Sequence, residues 1–439
     1  MSWKKDYENK ITTAPAALKL VNAGDYVALT FGTEPRTLAL ALIDRAREIG
    51  GVKLYISAPG RHFAWYESSL KDLFDIEFAH VLPVAKEMLI EKRADFVIGS
   101  LDVTHGTDVK KPPDVLLTQV SPPDNHGYCS FGPMLWNNKR SVMEAKIAIA
   151  EVNKNLIRTY GENFIHYSEF DCFIEHESSG NKPGLTDMSG RDVSGPTDVE
   201  ISICEYVSSL ISDGDCLEIG VGGVAEWLLR LPTFHNKNDI GVHSENLVPG
   251  IVDLVKRGII NGKRKKILKG KVVSTACGGS GKDDMDFINM NPVFELYNSD
   301  YVLDPGIISA NDNVVAINSA MSVDLTGQIA SESIGPRMVS STGGQLAFSI
   351  GANMSKGGRN VTVLPSTAKG GKISRIAPEF APGTIVTVPR TLADRVVTEY
   401  GIASLKGKTQ RERAEALVNI AHPDFRADLK KAAGKLFWS

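Results

Sequence analysis

The sequence predicts an α/β fold of two open-sheet domains, and three observations predict it. Short runs of β-branched and apolar residues alternate with amphipathic stretches along nearly the whole chain. Most of these runs are continuously apolar, the pattern of strands in a sheet covered by helices on both faces. The chain has 439 residues, far more than the roughly 150 that one core usually organises.

The elements follow in order. Tyr26-Val-Ala-Leu-Thr-Phe31 reads as a strand, Gly32-Thr-Glu-Pro35 as a turn, residues 36–49 as an amphipathic helix and Lys53-Leu-Tyr-Ile-Ser57 as the next strand, a βαβ rhythm. Further strands are expected at Phe96-Val-Ile-Gly99, Val115-Leu-Leu-Thr-Gln-Val120 and Ile147-Ala-Ile-Ala-Glu-Val152. Residues 176–198 are rich in Gly, Pro, Ser and Asp without periodicity, which marks a linker or long loop. The expected domains are therefore 1–180 and 199–439. In the second, a helix at 198–212, strand Cys216-Leu-Glu-Ile219, a Gly-rich turn, a helix at 224–231 and strand 240–242 come first. Strands near 271–275, 313–318, 360–364, 384–388 and 395–398 follow, and the last forty residues read as two helices.

Composition narrows the function. Hydrophobic residues make up 42% and charged residues 23%, and the formal net charge is −3, so neither a phosphate backbone nor an anionic membrane surface is attracted to the chain as a whole. Nucleic acid and membrane are not expected partners. The dense basic run Lys263-Arg264-Lys265-Lys266 reads as a solvated surface turn, with a small phosphate as the sharper alternative. The five cysteines have no CxxC spacing and the nine histidines no HxxxH pair, so neither a disulfide framework nor a metal site is written here. Met1-Ser-Trp-Lys-Lys-Asp6 lacks the apolar core of a signal peptide, and no run of about 18 apolar residues occurs. A cytoplasmic protein is expected.

Four segments carry chemistry. Gly220-Val-Gly222-Gly223-Val-Ala225 lies between a predicted strand and helix and satisfies the loose pattern G-x-G-x-x-G/A. Its N–H groups would suit a pyrophosphate, a coenzyme phosphate or a transient oxyanion equally. Glu245, in Gly241-Val-His-Ser-Glu-Asn-Leu-Val-Pro-Gly250, stands just past a strand's carboxyl end, where ligands meet open α/β sheets. It reads as a catalyst, as a ribose-binding acid or as a solvated loop residue. Ser340-Ser-Thr-Gly343-Gly344-Gln345 offers consecutive N–H groups beside an amide and precedes Lys356-Gly-Gly-Arg359. Ser121-Pro-Pro-Asp-Asn-His-Gly-Tyr-Cys-Ser130 presents Asp124, His126 and Ser130, or is a structural turn. A Ser-His-Glu triad from His243, Ser244 and Glu245 is disfavoured, because neighbours on a strand point to opposite faces.

Taken together, six segments in order resemble the 4-hydroxybutyrate/butyrate CoA-transferases, a family I CoA-transferase group similar to the acetyl-CoA hydrolase/transferases. They are Ser121 to Ser130, Gly220 to Gly223, His243-Ser-Glu245, Ser341-Thr-Gly-Gly-Gln-Leu-Ala-Phe348, Val396-Val-Thr-Glu-Tyr-Gly-Ile-Ala403 and Ile420-Ala-His-Pro-Asp-Phe-Arg426. The resemblance covers nearly the whole chain. It implies two open α/β domains of CoA-transferase type with the active site in the cleft between them.

The same resemblance implies that Glu245 attacks an acyl-CoA thioester, giving a mixed anhydride and then a glutamyl-CoA thioester, with ping-pong kinetics and neither ATP nor metal. Coenzyme A is then a substrate, and no cofactor is bound permanently. Oxyanion donors are implied at Val221, Gly222, Gly343 and Gly344, and contacts to CoA or substrate at Glu34, Asn318, Gln345 and Lys356. Three positions depart from the family's common pattern: Glu218 stands where Gln is frequent, Ala347 where Asp is, and Asn246-Leu-Val-Pro249 where Met-Phe-Ser-Asp is. These departures bear on the acid, which besides acetate, butyrate or 4-hydroxybutyrate could be a dicarboxylate such as succinate or itaconate. A homodimer is expected. Three rivals stay open: an acyl-CoA hydrolase using the same Glu245, an NAD-dependent dehydrogenase built on Gly220 to Ala225, and a subunit that holds CoA without turning it over.

Overall fold

The structure, a computed structural model, describes residues 3–32, 34–99, 112–176, 195–278 and 281–438. Two compact units emerge. The first comprises 1–191 and 275–301, the second 192–274 and 302–439. The expected linker at 176–198 falls almost wholly outside the described residues. The expected second domain, 199–439, is not continuous, because 275–301 packs with the first unit: Leu135 and Trp136 donate their N–H groups to the Thr275 carbonyl, and Cys277 donates to that of Pro133.

In the first unit a parallel sheet is built from β1 (Tyr26–Leu29), β2 (Val52–Ile56), β3 (Phe74–Phe78), β4 (Ala94–Phe96), β5 (Val115–Val120), β6 (Ile147–Val152) and β7 (Cys172–Glu175), in the order β7-β6-β5-β1-β2-β3-β4. β1 and β5 are buried at every residue, as their unbroken apolar runs require in a sheet covered on both faces. The helix Arg36–Ile49 turns Leu38, Leu42 and Ala46 to the core at four-residue spacing. Its first turn has no cap of its own, so the buried Glu151, at the end of β6, accepts from Leu38 N and Thr37 Oγ1 at 3.1 and 3.0 Å. The third expected strand, 96–99, begins two residues earlier, at 94–96, and is β4.

The second unit repeats this plan with β8 (Cys216–Ile219), β9 (Gly241–His243), β10 (Val272–Ser274), β11 (Val314–Ser319), β12 (Arg359–Val363), β13 (Arg395–Thr398) and β14 (Gly401–Ser404), in the order β14-β13-β12-β11-β8-β9-β10. The strands are parallel except for the β13–β14 hairpin. Chain order reverses direction between β8 and β11, so the loops leaving their carboxyl ends part to opposite sides and open a crevice there. The helix Asp198–Ser209 starts at a Thr197/Glu200 capping box, and Gln410–Asn419 at a Thr409/Glu412 box. With Pro423–Phe437 the latter forms the expected terminal pair.

Two expectations fail here. Residues 384–388 form no sheet strand: Pro382 and Pro389 flank the run, and it makes an isolated bridge to Ile329 instead. The basic run is not a solvated turn throughout. Lys265 is only 5% exposed and donates to the Val242 and Lys271 carbonyls at 2.9 Å, while Arg264 pairs with Asp239 and Lys266 with Asp312. Among the described residues no helix is long and apolar enough to cross a membrane, and no cluster of three His, Cys, Asp or Glu is placed to hold a metal ion.

Candidate active site

The second unit gathers its polar residues at the carboxyl edge of its sheet. β9 ends at His243, and two residues later the chain places Glu245 beyond the strand. Its Oε2 accepts a hydrogen bond from the N–H of Gly344. Gly344 is the N-cap of the helix Gln345–Met354, so the carboxylate faces the positive end of a ten-residue helix. Protein atoms enclose the carboxyl, although part of the residue's surface is still accessible. Burial pushes its pKa up to about 7, with the Gly344 hydrogen bond pulling the other way.

The loop that presents Gly344 is fastened from behind. The Glu332 carbonyl accepts from Val339 N at 2.8 Å and Ser340 N at 3.0 Å, and its carboxylate accepts from Thr342 Oγ1 at 2.6 Å. Phe348, fully buried in the helix's first turns, anchors the other side. At Gly344 a side chain has no room: a Cβ would collide with Oε2 of Glu245 and stand 2.9 Å from Leu303 Cδ2. At Gly343 the same atom would lie 3.5 Å from Oε2, an ordinary contact.

Behind Glu245 the switch point holds a second carboxyl. Glu218, on β8 and 1% exposed, accepts from Asn318 Nδ2 at 2.8 Å, and Asn318 is at the end of β11. Gly220 lets this pair form, since a Cβ there would strike Asn318 Oδ1. Burial first, and then the charge of Glu245, lift the Glu218 carboxyl well above its ordinary range. Glu218 entered the sequence reading only as a departure from a pattern. The signal available was an acidic residue inside the apolar run Cys216-Leu-Glu-Ile219.

His243 and Ser244 do not form a relay. The imidazole Nε2 hydrogen-bonds to the Val302 carbonyl at 2.8 Å, and burial holds the ring neutral, its pKa pushed down to about 3. The Ser244 hydroxyl accepts from Ile219 N at 3.2 Å and donates to the Asn246 carbonyl at 3.0 Å. Both residues tie the nucleophile's strand in place.

The other expected site residues stand on several elements. Val221 and Gly222 follow β8 in an open turn; Val221 is 59% exposed and nothing crowds Gly222. Gln345 is the first residue of the helix at Glu245, whereas the exposed Lys356 lies past its other end, roughly 15 Å away along the axis. The Lys356 carbonyl accepts from Asn313 N, before β11 begins, on the opposite edge of the sheet. Glu34 belongs to the first unit, where it is buried and its Oε2 accepts from Arg61 N at 2.8 Å. The Ser121–Ser130 segment is a structural turn. Asp124 accepts from His126 N and Tyr128 N, Ser130 N donates to Ser121 Oγ, and Arg158 binds Ser121, Pro122, Asp124 and Tyr128 together.

A pH prediction follows from Glu245. Attack requires the carboxylate, so the rate of the first half-reaction falls about tenfold per pH unit below about 7. Stability moves the other way. The folded carboxyl is the weaker acid, so its contribution is most favourable below the unfolded value near 4.5 and is lost as pH rises to about 7. Glu245→Gln is therefore more stable than the wild type above pH 7, by up to about 3 kcal/mol, and equal to it near pH 4. Rate–pH profiles and urea unfolding of both proteins across this range check the two signs.

Residues 281–433 match the family model of the acetyl-CoA hydrolase/transferase C-terminal domain. Over 445 aligned residues, and 100% of each chain, the sequence is 40% identical to the 4-hydroxybutyrate coenzyme A transferase of Clostridium kluyveri. It is 36% identical, over 99% of this chain and 97% of the other, to the succinyl-CoA:cyclohexane-1-carboxylate CoA transferase of Geobacter metallireducens. The fold superposes on the crystal structure of RipA from Yersinia pestis with a TM-score of 0.88, at 33% identity and over 99% of each chain.

Proposed function

The chain belongs to the CoA-transferases of the acetyl-CoA hydrolase/transferase family, and from that premise we propose that it moves CoA between a short-chain acyl-CoA and a small carboxylic acid through a glutamyl-CoA thioester on Glu245. The observation that carries this reading is the Glu245 carboxylate at the carboxyl end of β9, enclosed by protein and bonded to the Gly344 N–H. Desolvation makes it a stronger nucleophile than a solvated carboxylate while leaving it largely ionised just above neutral pH.

One carboxylate oxygen attacks the thioester carbonyl, and the tetrahedral intermediate collapses to expel CoA as thiolate, leaving a mixed anhydride. The thiolate then attacks the glutamyl carbonyl carbon and expels the donor acid as its carboxylate. A second acid reverses both steps, so no proton is consumed and the thioester bond energy is kept. During attack on the glutamyl carbon, negative charge develops on the oxygen that faces Gly344. Its N–H is already directed there, which is the preorganised donor such an intermediate needs. Val221, Gly222 and Gly343 are the further donors of this reading, with Asn318, Gln345, Glu34 and Lys356 as CoA or substrate contacts.

The acceptor is read as acetate, butyrate, 4-hydroxybutyrate or a C4–C5 dicarboxylate such as succinate or itaconate, with the enzyme a cytoplasmic homodimer. The test is intact-protein mass after incubation with acetyl-CoA or butyryl-CoA, then borohydride reduction and peptide mapping. A CoA adduct, reduced to the alcohol at position 245, is expected. No adduct with any acyl-CoA, or one on another residue, overturns the mechanism. Turnover without an added acid would reassign the enzyme as a hydrolase.

A further inference from the structure

A buried carboxyl without a cation is costly to ionise, and among the described residues Glu218 is such a group. It sits within β8 at the switch point, 1% exposed, and the groups bonded to it are neutral, Asn318 Nδ2 and the Ile317 backbone. Among the described residues, the elements beside it supply no compensating charge. On β9, His243 is neutral and bonded to the Val302 carbonyl. Past β9, Lys265 is bonded to the Val242 and Lys271 carbonyls, and its charge bears on Cys216 and His243. On β11 the neighbouring polar residue is Asn318 itself, and in the Gly344 loop Glu332 is bonded to Thr342. The Asp215–Arg359 pair belongs to the opposite edge, at the amino ends of β8 and β12. The charge that reaches Glu218 is that of Glu245, and it has the same sign.

We propose that Glu218 is a positioning residue for the transfer reaction: a carboxylic acid that stays protonated beside Glu245, fixes the Asn318 amide, and leaves the nucleophile as the ionised carboxyl of the site. The proposal rests on the assignment of Glu245 as nucleophile. Its physical content is that two adjacent desolvated carboxyls hold one negative charge between them. A charged Glu218 would raise the ionisation range of Glu245 and repel every carboxylate that enters as substrate or leaves as product. A neutral one accepts from Asn318 through one oxygen and adds no charge.

Three measurements test it. In infrared difference spectra of wild type minus Glu218→Gln at pH 8, a protonated carboxylic acid C=O stretch is expected; a carboxylate stretch in its place overturns the proposal. Glu218→Leu leaves the Asn318 amide without its acceptor and is expected to slow the half-reaction about tenfold or more. Glu218→Gln, which keeps the acceptor and the neutrality, is expected to recover most of that loss. Leu at the wild-type rate, or Gln as slow as Leu, overturns the positioning role. The acid limb of the rate–pH profile is expected at the same pH in Glu218→Gln and wild type; a downward shift of a unit or more means that Glu218 was charged and overturns its neutrality. The infrared result involves no turnover, so it stands apart from a failure of the Glu245 assignment, which peptide mapping of the adduct reports.

Discussion

Glu245→Ala loses CoA transfer by a factor on the order of 10^4 or more, because removing a covalent nucleophile removes the whole route that depends on it. The variant is expected to fold. Its side chain accepts from Gly344 N, and the loop that carries Gly344 is fastened independently through Glu332 and Thr342. Removing a desolvated carboxylate also relieves a cost rather than adding one above pH 7. Initial rates with acyl-CoA and acetate, beside circular dichroism and thermal melts, separate lost chemistry from lost structure. A folded variant within tenfold of the wild type would move the nucleophile elsewhere, with Glu218, whose ionisation the charge of Glu245 affects, a carboxyl to examine.

Gly344→Ala has the second large effect, a loss of about 10^2 to 10^3 in kcat, the scale of removing one oxyanion donor. The backbone at Gly344, with φ of −76°, accepts any residue, and N-cap substitution alone changes stability modestly. What the new methyl cannot do is coexist with Oε2 of Glu245, Leu303 Cδ2 at 2.9 Å and Phe348 Cδ2 at 3.2 Å. Carboxylate and N–H must separate, and their alignment is what the reaction uses. Gly343→Ala is the internal control: its methyl would meet both Glu245 oxygens at 3.5 and 3.6 Å, so a loss within about tenfold is expected. Equal losses at 343 and 344 would argue against the alignment and for a general disturbance of the loop. Steady-state kinetics of the two variants with one acyl-CoA decide between these outcomes.

Much of this fold was legible locally. Val115–Val120 and Ile147–Val152 are six-residue, mostly apolar runs whose bounds coincide with β5 and β6, because a strand covered on both faces favours such residues. Thr197 and Glu200 announce the helix that begins at Asp198. The alternating run Phe-Asp-Ile-Glu-Phe, absent from the expected strands, has the period-2 pattern of a half-buried strand and forms β3 at 74–78. By contrast, Thr384–Val388 has strand composition and no place in either sheet, since prolines on both sides keep it from a ladder. Pairing is a property of two segments, and one segment's composition cannot declare it.

The sequence by itself determined the α/β class, the position of Glu245 past a strand, and the glycines at 343 and 344, because each is written in neighbouring residues. Only the tertiary structure decided which groups meet. Glu245 and Gly344 are 99 positions apart and Glu218 and Asn318 are 100 apart. Both pairs form because parallel strands bring their carboxyl ends to one edge, whatever lies between them in the chain. The same geometry carried Lys356 to the other edge, past the far end of the helix that begins at Glu245. It also turned Glu218 from an oddity in an apolar run into the carboxyl beside the nucleophile. Its proton is held by desolvation and by a like charge, both of which exist only once the sheet has formed.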